Sequence, residues 1–298
     1  MRIAVIMPVA AGPAEAERFK DTAESLLALE PAVRWLVVYD DSPVDRHLTA
    51  DIVAPETSVI VLRSPLDHRR IDRESRIGTA VLDGLRWVAD NTDCDVVMKI
   101  DTDALVIAPF AEQLARALAD ESIGMLGSYD RDCNGAERSF APLVGPTRRA
   151  AIALHPRQLG VLFRGRRARK YIRQSRAAGY QWGEHVLGCA LAIARRTLDA
   201  LRRDGTLDDP EVFVGTRLYD DPILGILVRG AGYRIAGHVE EHGGFGVSWR
   251  GLPDTPERLA SRGFSIIHSV KNDTRFTESQ IRSYFGGLRQ QTRTMRGT

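Results

Sequence analysis

Val96-Val97-Met98-Lys99-Ile100-Asp101-Thr102-Asp103-Ala104-Leu105 is the stretch on which the reading of this chain turns. An apolar run leads into two aspartates one residue apart, and apolar residues then resume. Alternation along an extended strand turns residues i and i+2 to the same side. Asp101 and Asp103 are therefore expected to face one small volume at the strand's end. A hard cation such as Mg²⁺ or Mn²⁺ takes oxygen ligands at such a place, through one or two carboxylates plus substrate phosphates. Two solvated turn acids after a strand are the plainer alternative.

Working outward, apolar runs at residues 3–9, 35–39, 58–62 and 96–100 read as strands. Between them, Phe19, Ala23, Leu26 and Leu27 within 14–29, and Ile77, Val81, Leu85 and Val88 within 77–89, recur at helical spacing. That alternation predicts an α/β fold with a mostly parallel central sheet and helices on both faces. Ligands of such sheets lie outside the carboxyl ends of the strands. Those ends here carry Pro8 with Val9, Asp40-Asp41, Arg63, and Asp101 with Asp103.

Further along, helices are expected at 110–118, 166–178, 197–203 and 222–229, the last ended by Gly230 and Gly232 as a C-cap region. The helix over 166–178 should turn Ala168, Tyr171, Ile172 and Ser175 inward. Residues 123–126, 189–194 and 264–267 read as strands, and 241–250 as a glycine-rich loop holding His242 and Trp249. A helix at 277–288 is expected to break at Gly286-Gly287, leaving a frayed basic tail.

With 298 residues, 44% apolar and 27% charged, the composition is that of an ordinary globular protein. A net charge of +2 gives no bulk reason to expect nucleic acid as a partner. Cys94, Cys133 and Cys189 are far apart, with neither zinc-binding nor disulfide spacing, which fits a reducing compartment. No apolar run is long enough to span a bilayer, so a cytoplasmic enzyme is expected. Residues 138–183 hold eleven Arg or Lys and no acid. They form either a solvated face or a surface for an anionic acceptor or an acidic membrane, where each basic residue contributes about 1 kcal/mol.

Three more groups join the first. Tyr39-Asp40-Asp41-Ser42 ends the second strand, where acids can accept from a base edge or a ribose hydroxyl. Tyr219-Asp220-Asp221-Pro222 precedes an apolar helix and Gly232-Tyr233-Arg234-Ile235. His268 and Lys271 follow the late strand. Two acid sites, a candidate metal site and a His/Lys pair fit metal-dependent transfer from a nucleotide sugar. Each group also has a plainer reading. Asp40-Asp41 can cap the next segment, and Asp220-Asp221 can form an N-cap with Pro222 at the first helical position. His268 can be a hydrogen-bonded core residue, with His242 as the competing ligand. Trp182, Glu184 and His185, just ahead of the small-residue strand, are candidate acceptor contacts, against an ordinary core tryptophan. Arg76, with Arg73, can approach a diphosphate or be solvated.

On these residues the chain resembles glycosyltransferases of the GT-A fold, in pattern most like the inverting family-2 type. Pro8, Asp40-Asp41 and Asp101-Thr102-Asp103 look like that family's donor half. Residues 188–193 with Arg195-Arg196 look like its acceptor-side strand and basic pair, and Asp220-Asp221 ahead of Gly232-Tyr233 like its acidic pair. The resemblance implies a single GT-A domain over 1–298, with a donor half at 1–125, an acceptor half at 126–272, and a C-terminal helix and basic tail at 273–298. It implies Asp221, with Asp220, as the catalytic base. It implies Asp101, Asp103 and His268 around Mn²⁺ or Mg²⁺, and donor contacts from Pro8, Val9, Asp40, Asp41, Arg76, Asp101, Thr102, Asp103 and Lys271. A UDP-sugar donor is favoured, and the acceptor is a saccharide, lipid-linked or natural-product hydroxyl. Residues 97–103 are also similar to the β-1,3-galactosyltransferase type. Asp220 stands where Glu is usual and Pro222 follows at once. The Gln-x-x-Arg-Trp motif of processive synthases is missing, so one transfer per encounter is expected. A retaining GT-A enzyme, a sugar-phosphate nucleotidyltransferase and a nucleotide-sugar-binding protein without turnover remain as alternatives.

Overall fold

The computed structural model describes residues 1–42, 56–64, 66, 71–152, 162–238 and 244–296. The elements follow as β1 (Ile3–Ala10), α1 (Pro13–Leu29), β2 (Val33–Asp41), β3 (Ser58–Arg63), α2 (Arg73–Asn91) and β4 (Val96–Ile100). Next come β5 (Ala104–Val106), α3 (Ala111–Ala117), β6 (Ile123–Gly127), α4 (Ala141–Ile152), α5 (Leu162–Ala177), β7 (Ala190–Ala194) and α6 (Arg195–Arg203). The chain continues through α7 (Asp220–Gly230), β8 (Arg234–Gly237), β9 (Phe245–Val247), α8 (Pro256–Ser261), β10 (Ile266–His268) and α9 (Glu278–Arg296).

Seven strands form a central sheet in the order β3-β2-β1-β4-β7-β6-β8, in which β7 alone runs against the others. The period-two pleat of β1 divides its side chains between two cores. Ile3, Val5, Met7 and Val9 pack with Phe19 and Leu26 of α1 and Leu114 of α3. Ala4 and Ile6 pack with Val81 and Leu85 of α2, Ile172 of α5, Leu198 of α6 and Leu227 of α7. The sheet is thus covered on both faces, as the unbroken apolar strands predict. In α5, Ala168, Ile172 and Ser175 are buried, as their spacing requires.

The stretch at 101–103 departs from its expected form. β4 stops at Ile100, and the Ala104 amide donates to the Asp101 carbonyl at 3.0 Å, so Asp101 and Asp103 lie on a turn and not on strand alternation. The chain then leaves the main sheet for a second one, β5-β10-β9. The turn is held from behind. Thr22 Oγ1 donates to the Thr102 carbonyl at 2.8 Å, and Arg282 Nη2 of α9 reaches the same oxygen at 3.1 Å.

That bracing accounts for a second departure. α9 runs without interruption through Gly286-Gly287 to Arg296, where a break and a frayed tail are expected from the sequence. Arg18 pairs with Glu278 at 2.8 Å, while Arg282 and Arg289 pair with Asp21 at 2.6 and 2.7 Å. Ile281 and Phe285 are buried beneath them. Tertiary contacts outweigh the glycine cost of about 1 kcal/mol each. α4 has no counterpart in the sequence reading, because Gly145 and the internal Pro146 obscure its periodicity. His242, and the expected loop as far as residue 243, lie outside the described residues. Among the described residues, no helix is long and apolar enough to cross a membrane.

Glu30, buried after α1, fixes the start of α3. One carboxylate oxygen accepts from the Phe110 and Ala111 amides at 2.7 and 2.9 Å, and the other from Ala32 at 3.1 Å. Glu30→Ala leaves the buried Phe110 amide and two half-buried amides without this acceptor and is expected to cost about 1–3 kcal/mol. Urea unfolding checks this, and wild-type stability in the variant would contradict it.

Candidate active site

The carboxyl ends of β1, β2 and β4, the first turns of α2 and α7, and the segments after β9 and β10 enclose a cleft of about 550 Å³. Of the residues expected to meet a donor, Pro8, Val9, Asp41, Arg76, Asp101, Thr102, Asp103 and Lys271 line it. Asp40 does not. It is fully buried behind Asp41, with Oδ1 accepting from the Ser42 amide at 3.0 Å. Asp41 Oδ2 pairs with Arg76 at 3.0 Å, bringing the end of β2 to the first turn of α2. The Thr102 hydroxyl donates to Glu15 Oε2 at 2.6 Å, so its side chain ties the turn to α1.

Asp103 is nearly buried and ringed by donors. His268 Nε2 lies 3.2 Å from its Oδ2, Lys271 Nζ 3.0 Å, and Ser269 Oγ 3.0 Å. Burial alone would raise this carboxyl. The hydrogen bonds and charges of His268 and Lys271 outweigh burial and hold it well below the usual carboxylate range. The His268 ring is oriented by its other nitrogen, Nδ1–H donating to the Ser248 carbonyl at 2.7 Å, which turns Nε2 toward Asp103. Burial lowers the His268 pKa, but the Cys189 sulfur and Asp103 raise it well above its ordinary value.

Asp101, Asp103 and His268 each place a ligand atom within 4.8 Å of the others. Two carboxylates and an imidazole whose second nitrogen is already engaged form a donor set that suits Mn²⁺ or Mg²⁺. Asp101 keeps 33% of its side-chain surface open, which leaves room for substrate oxygens. Burial, Asp103 and Asp220 push its pKa up against the pull of Lys99.

Lys99 had no role in the sequence reading, and it ties the site together. Its ammonium, 3% exposed, lies 2.7 Å from Asp101 Oδ1 and 2.9 Å from Asp220 Oδ2, and donates to the Gly188 carbonyl at 2.5 Å. Burial would lower its pKa, yet Asp101, Asp220 and Asp221 together drive it up, so the lysine stays charged. The available signal was a lone cation inside an apolar strand, two residues before the first aspartate.

Asp220 and Asp221 occupy the first two positions of α7, with Tyr219 as the N-cap and Pro222 third. The helix therefore starts earlier than expected, and neither acid is the cap. Burial and the adjacent Asp220 push Asp221 up to about 8, against Lys99 and a hydrogen bond from the Gly188 backbone. A Cβ on Gly188 would stand 2.0 Å from Asp221 Oδ1, so any larger residue there would displace the carboxylate.

The expected acceptor contacts sit elsewhere. Trp182, Glu184 and His185 are not among the residues lining the cleft. Glu184 is fully buried, taking Arg229 Nε at 2.8 Å, the Tyr129 hydroxyl at 2.6 Å and the Gln181 amide at 2.8 Å. Trp182 is covered by Arg176 and Arg148, at 4.8 and 5.9 Å from its ring centre. The His185 Nδ1 lies 2.7 Å from the Gly183 carbonyl, and burial pushes its pKa down to about 4.

No protein-family model matches the chain, and no curated protein matches it. Among solved structures it is similar to the apo bifunctional glycosyltransferase WbbM, at 12% identity over 91% of this chain and 46% of that one, with a TM-score of 0.49. It is similar to the galactosyltransferase LgtC in complex with donor and acceptor sugar analogues, at 16% identity over 95% of both chains, with a TM-score of 0.44. It is also similar to the mannosyltransferase PcManGT from Pyrobaculum calidifontis, in complex with GDP-Man and Mn²⁺, at 16% identity over 68% of this chain and 46% of that one, with a TM-score of 0.34. The chain thus spans less than half the length of WbbM and of PcManGT. At these scores the likenesses carry no weight for substrate or stereochemistry, which must be read from the residues of the cleft.

Lys99→Met strands the buried Asp220 carboxylate and the one-third-open Asp101, and is expected to cost about 3–5 kcal/mol. Adding Asp220→Asn should recover part of that loss, measured as a double-mutant cycle by urea unfolding. Additive losses would show that the ammonium and the carboxylate do not support one another.

Proposed function

We propose that this chain is a metal-dependent glycosyltransferase of the GT-A type. It moves a sugar from a nucleoside diphosphate sugar, with a UDP-sugar as the first candidate, to an acceptor hydroxyl with inversion. The observation that carries this reading is one cleft holding the Asp101/Asp103/His268 group and the Asp220/Asp221 pair, linked by one buried ammonium. We assign residues 1–125 to donor binding and 126–272 to the acceptor side. The enzyme is read as cytoplasmic, with the basic segment 138–183 facing an anionic acceptor or membrane surface.

Asp101, Asp103 and His268 would hold Mn²⁺ or Mg²⁺, which supplies positive charge to the diphosphate leaving group. Asp41 and Arg76 lie at the nucleoside end. Lys271, 3.0 Å from Asp103, adds a second cation beside the diphosphate. Asp221 takes the proton of the acceptor hydroxyl as its oxygen bonds to the anomeric carbon and the bond to the diphosphate breaks. In-line displacement inverts that carbon. Asp220, paired with Lys99, keeps the adjacent carboxylate in place. A retaining enzyme would share the donor site without needing this base, and the anomeric configuration of the product, read by NMR, separates the two.

Ligands that bind only the native state raise its melting temperature. One of UDP, GDP, dTDP, CDP or ADP is expected to do so with Mn²⁺ but not with EDTA, and to lose the effect in Asp103→Ala. No shift with any of them would defeat the donor assignment.

General bases contribute about 10²–10⁴-fold, so Asp221→Asn is expected to lower kcat by that range with little change in donor binding. The base acts only when deprotonated, and its pKa is lifted to about 8. In the wild type, kcat/KM should therefore rise with pH and level off above that value. A flat profile between pH 6 and 9, or full turnover in the variant, would remove Asp221 from this role.

A further inference from the structure

Among the described residues, five large apolar side chains are exposed, Met1, Ile152, Tyr219, Trp249 and Leu288. Two of the five are aromatic, and both line the cleft that holds the metal group and the acid pair. Trp249 is 65% exposed, and unlike Ile152 it is exposed at the cleft. Tyr219 is 38% exposed and immediately precedes Asp220 and Asp221.

Trp249 is presented by a fixed segment. The Ser248 amide donates to the His268 carbonyl at 2.9 Å, while the Ser248 carbonyl lies 2.7 Å from His268 Nδ1. The Ser269 amide donates to the Gly251 carbonyl at 3.0 Å. The backbone that carries the indole is therefore tied on both sides to the end of β10 that bears His268, so little backbone freedom is lost when a ligand binds there. Tyr219 comes from the other group of elements, at the start of α7. Its hydroxyl donates to Glu74 Oε1 of α2 at 3.0 Å, which leaves the ring face for packing.

The position of Trp249 selects between the two substrates, while Tyr219, bonded to Glu74 two residues before Arg76, joins the nucleoside end to the acid pair. A nucleoside over the carboxyl ends of β1 and β2 meets Asp41 and Arg76. Trp249 follows β9, in the second sheet, which the chain enters only after the 101–103 turn. Its neighbour Ser248 meets His268 at the ring nitrogen opposite the one that faces Asp103, so Trp249 belongs to the His268 side of the cleft and not to the β1–β2 end. The substrate whose hydroxyl meets Asp221 is the one that passes these rings. Exposed aromatic faces beside carboxylates, guanidinium and amide groups match a pyranose, which has an apolar C–H face and a rim of hydroxyls. Arg250 and Asn272 line the same part of the cleft and can meet that rim.

We infer that Trp249, with Tyr219, forms the acceptor platform and that the acceptor is a saccharide stacked through its ring face. This deepens the transferase reading and rests on it. It moves the acceptor site from Trp182, whose ring arginines cover, to the aromatic pair at the cleft.

The test is saturation-transfer difference NMR with methyl glycosides of glucose, galactose, mannose and N-acetylglucosamine. The nucleoside diphosphate giving the largest thermal shift is present, with diamagnetic Mg²⁺. The ring C–H protons of one glycoside are expected to saturate. Trp249→Ala should cut that signal by about tenfold, as for loss of a central aromatic anchor, and Trp249→Phe should keep it. Tyr219→Phe should keep the signal and Tyr219→Ala weaken it, with unchanged melting temperatures confirming that each variant is folded. Full signal in Trp249→Ala, or no saturation of any glycoside while the nucleotide shift is intact, would overturn the platform. Absence of any nucleotide shift in the wild type would instead strike the transferase reading, and a Trp249-dependent glycoside signal would survive it.

Discussion

One ammonium group in the middle of a strand organises this cleft. Lys99 sits in β4, between β1 and β7, where every neighbouring residue of the strand is apolar. A charge in such a place is tolerated only when paired and hydrogen-bonded. Its partners come from three separate parts of the chain: Asp101 from the turn, Asp220 from α7 and the Gly188 carbonyl from the approach to β7. Satisfying Lys99 therefore draws the candidate metal ligands and the candidate base into one volume. The same charge opposes the rise in the pKa of Asp221 that burial imposes.

The second constraint is the turn itself. Asp101 and Asp103 converge because the backbone bends between two sheets, and a bend of that kind needs support. Its support is the Thr102 carbonyl, which takes both Thr22 of α1 and Arg282 of α9. Arg282 is fixed in turn by Asp21 and Glu278. The C-terminal helix thus reaches the site through two carboxylates and one guanidinium, and none of its described side chains lines the cleft. Residues distant in sequence set the spacing of the two aspartates.

What could be read in advance follows from the range of each signal. The sheet and its flanking helices were legible because strand alternation and helical spacing are local. The Asp101/Asp103 and His268/Lys271 groups stood out because each follows an apolar run, and Asp220-Asp221 because they open one. Long-range effects were hidden. Gly286-Gly287 looked like a break because the ion pairs to Asp21 come from more than two hundred residues away. Lys99 looked like an ordinary member of the strand because its partners are made by the fold. Trp182 and Glu184 drew attention by their residue types, yet Arg176, Arg148 and Arg229 already occupy them. Trp249 drew little, although exposure is the property that distinguishes it from Trp182, and exposure cannot be read from sequence.

Gly188 shows how closely the two halves of the cleft are fitted. It lends its carbonyl to Lys99 and its amide to Asp221, and its missing side chain leaves space for the Asp221 carboxylate. A carboxylate at the first turn of a helix, near backbone N–H groups, is ordinarily stabilised in its charged form. Here burial and a neighbouring acid win, and the carboxyl is held near the protonation midpoint of neutral to slightly alkaline solution. A fully ionised aspartate would be a weak base, and a strongly protonated one would be no base at all. The opposed pulls of Asp220 and Lys99 hold Asp221 between those limits, which is the condition for taking a proton from a hydroxyl in the transition state.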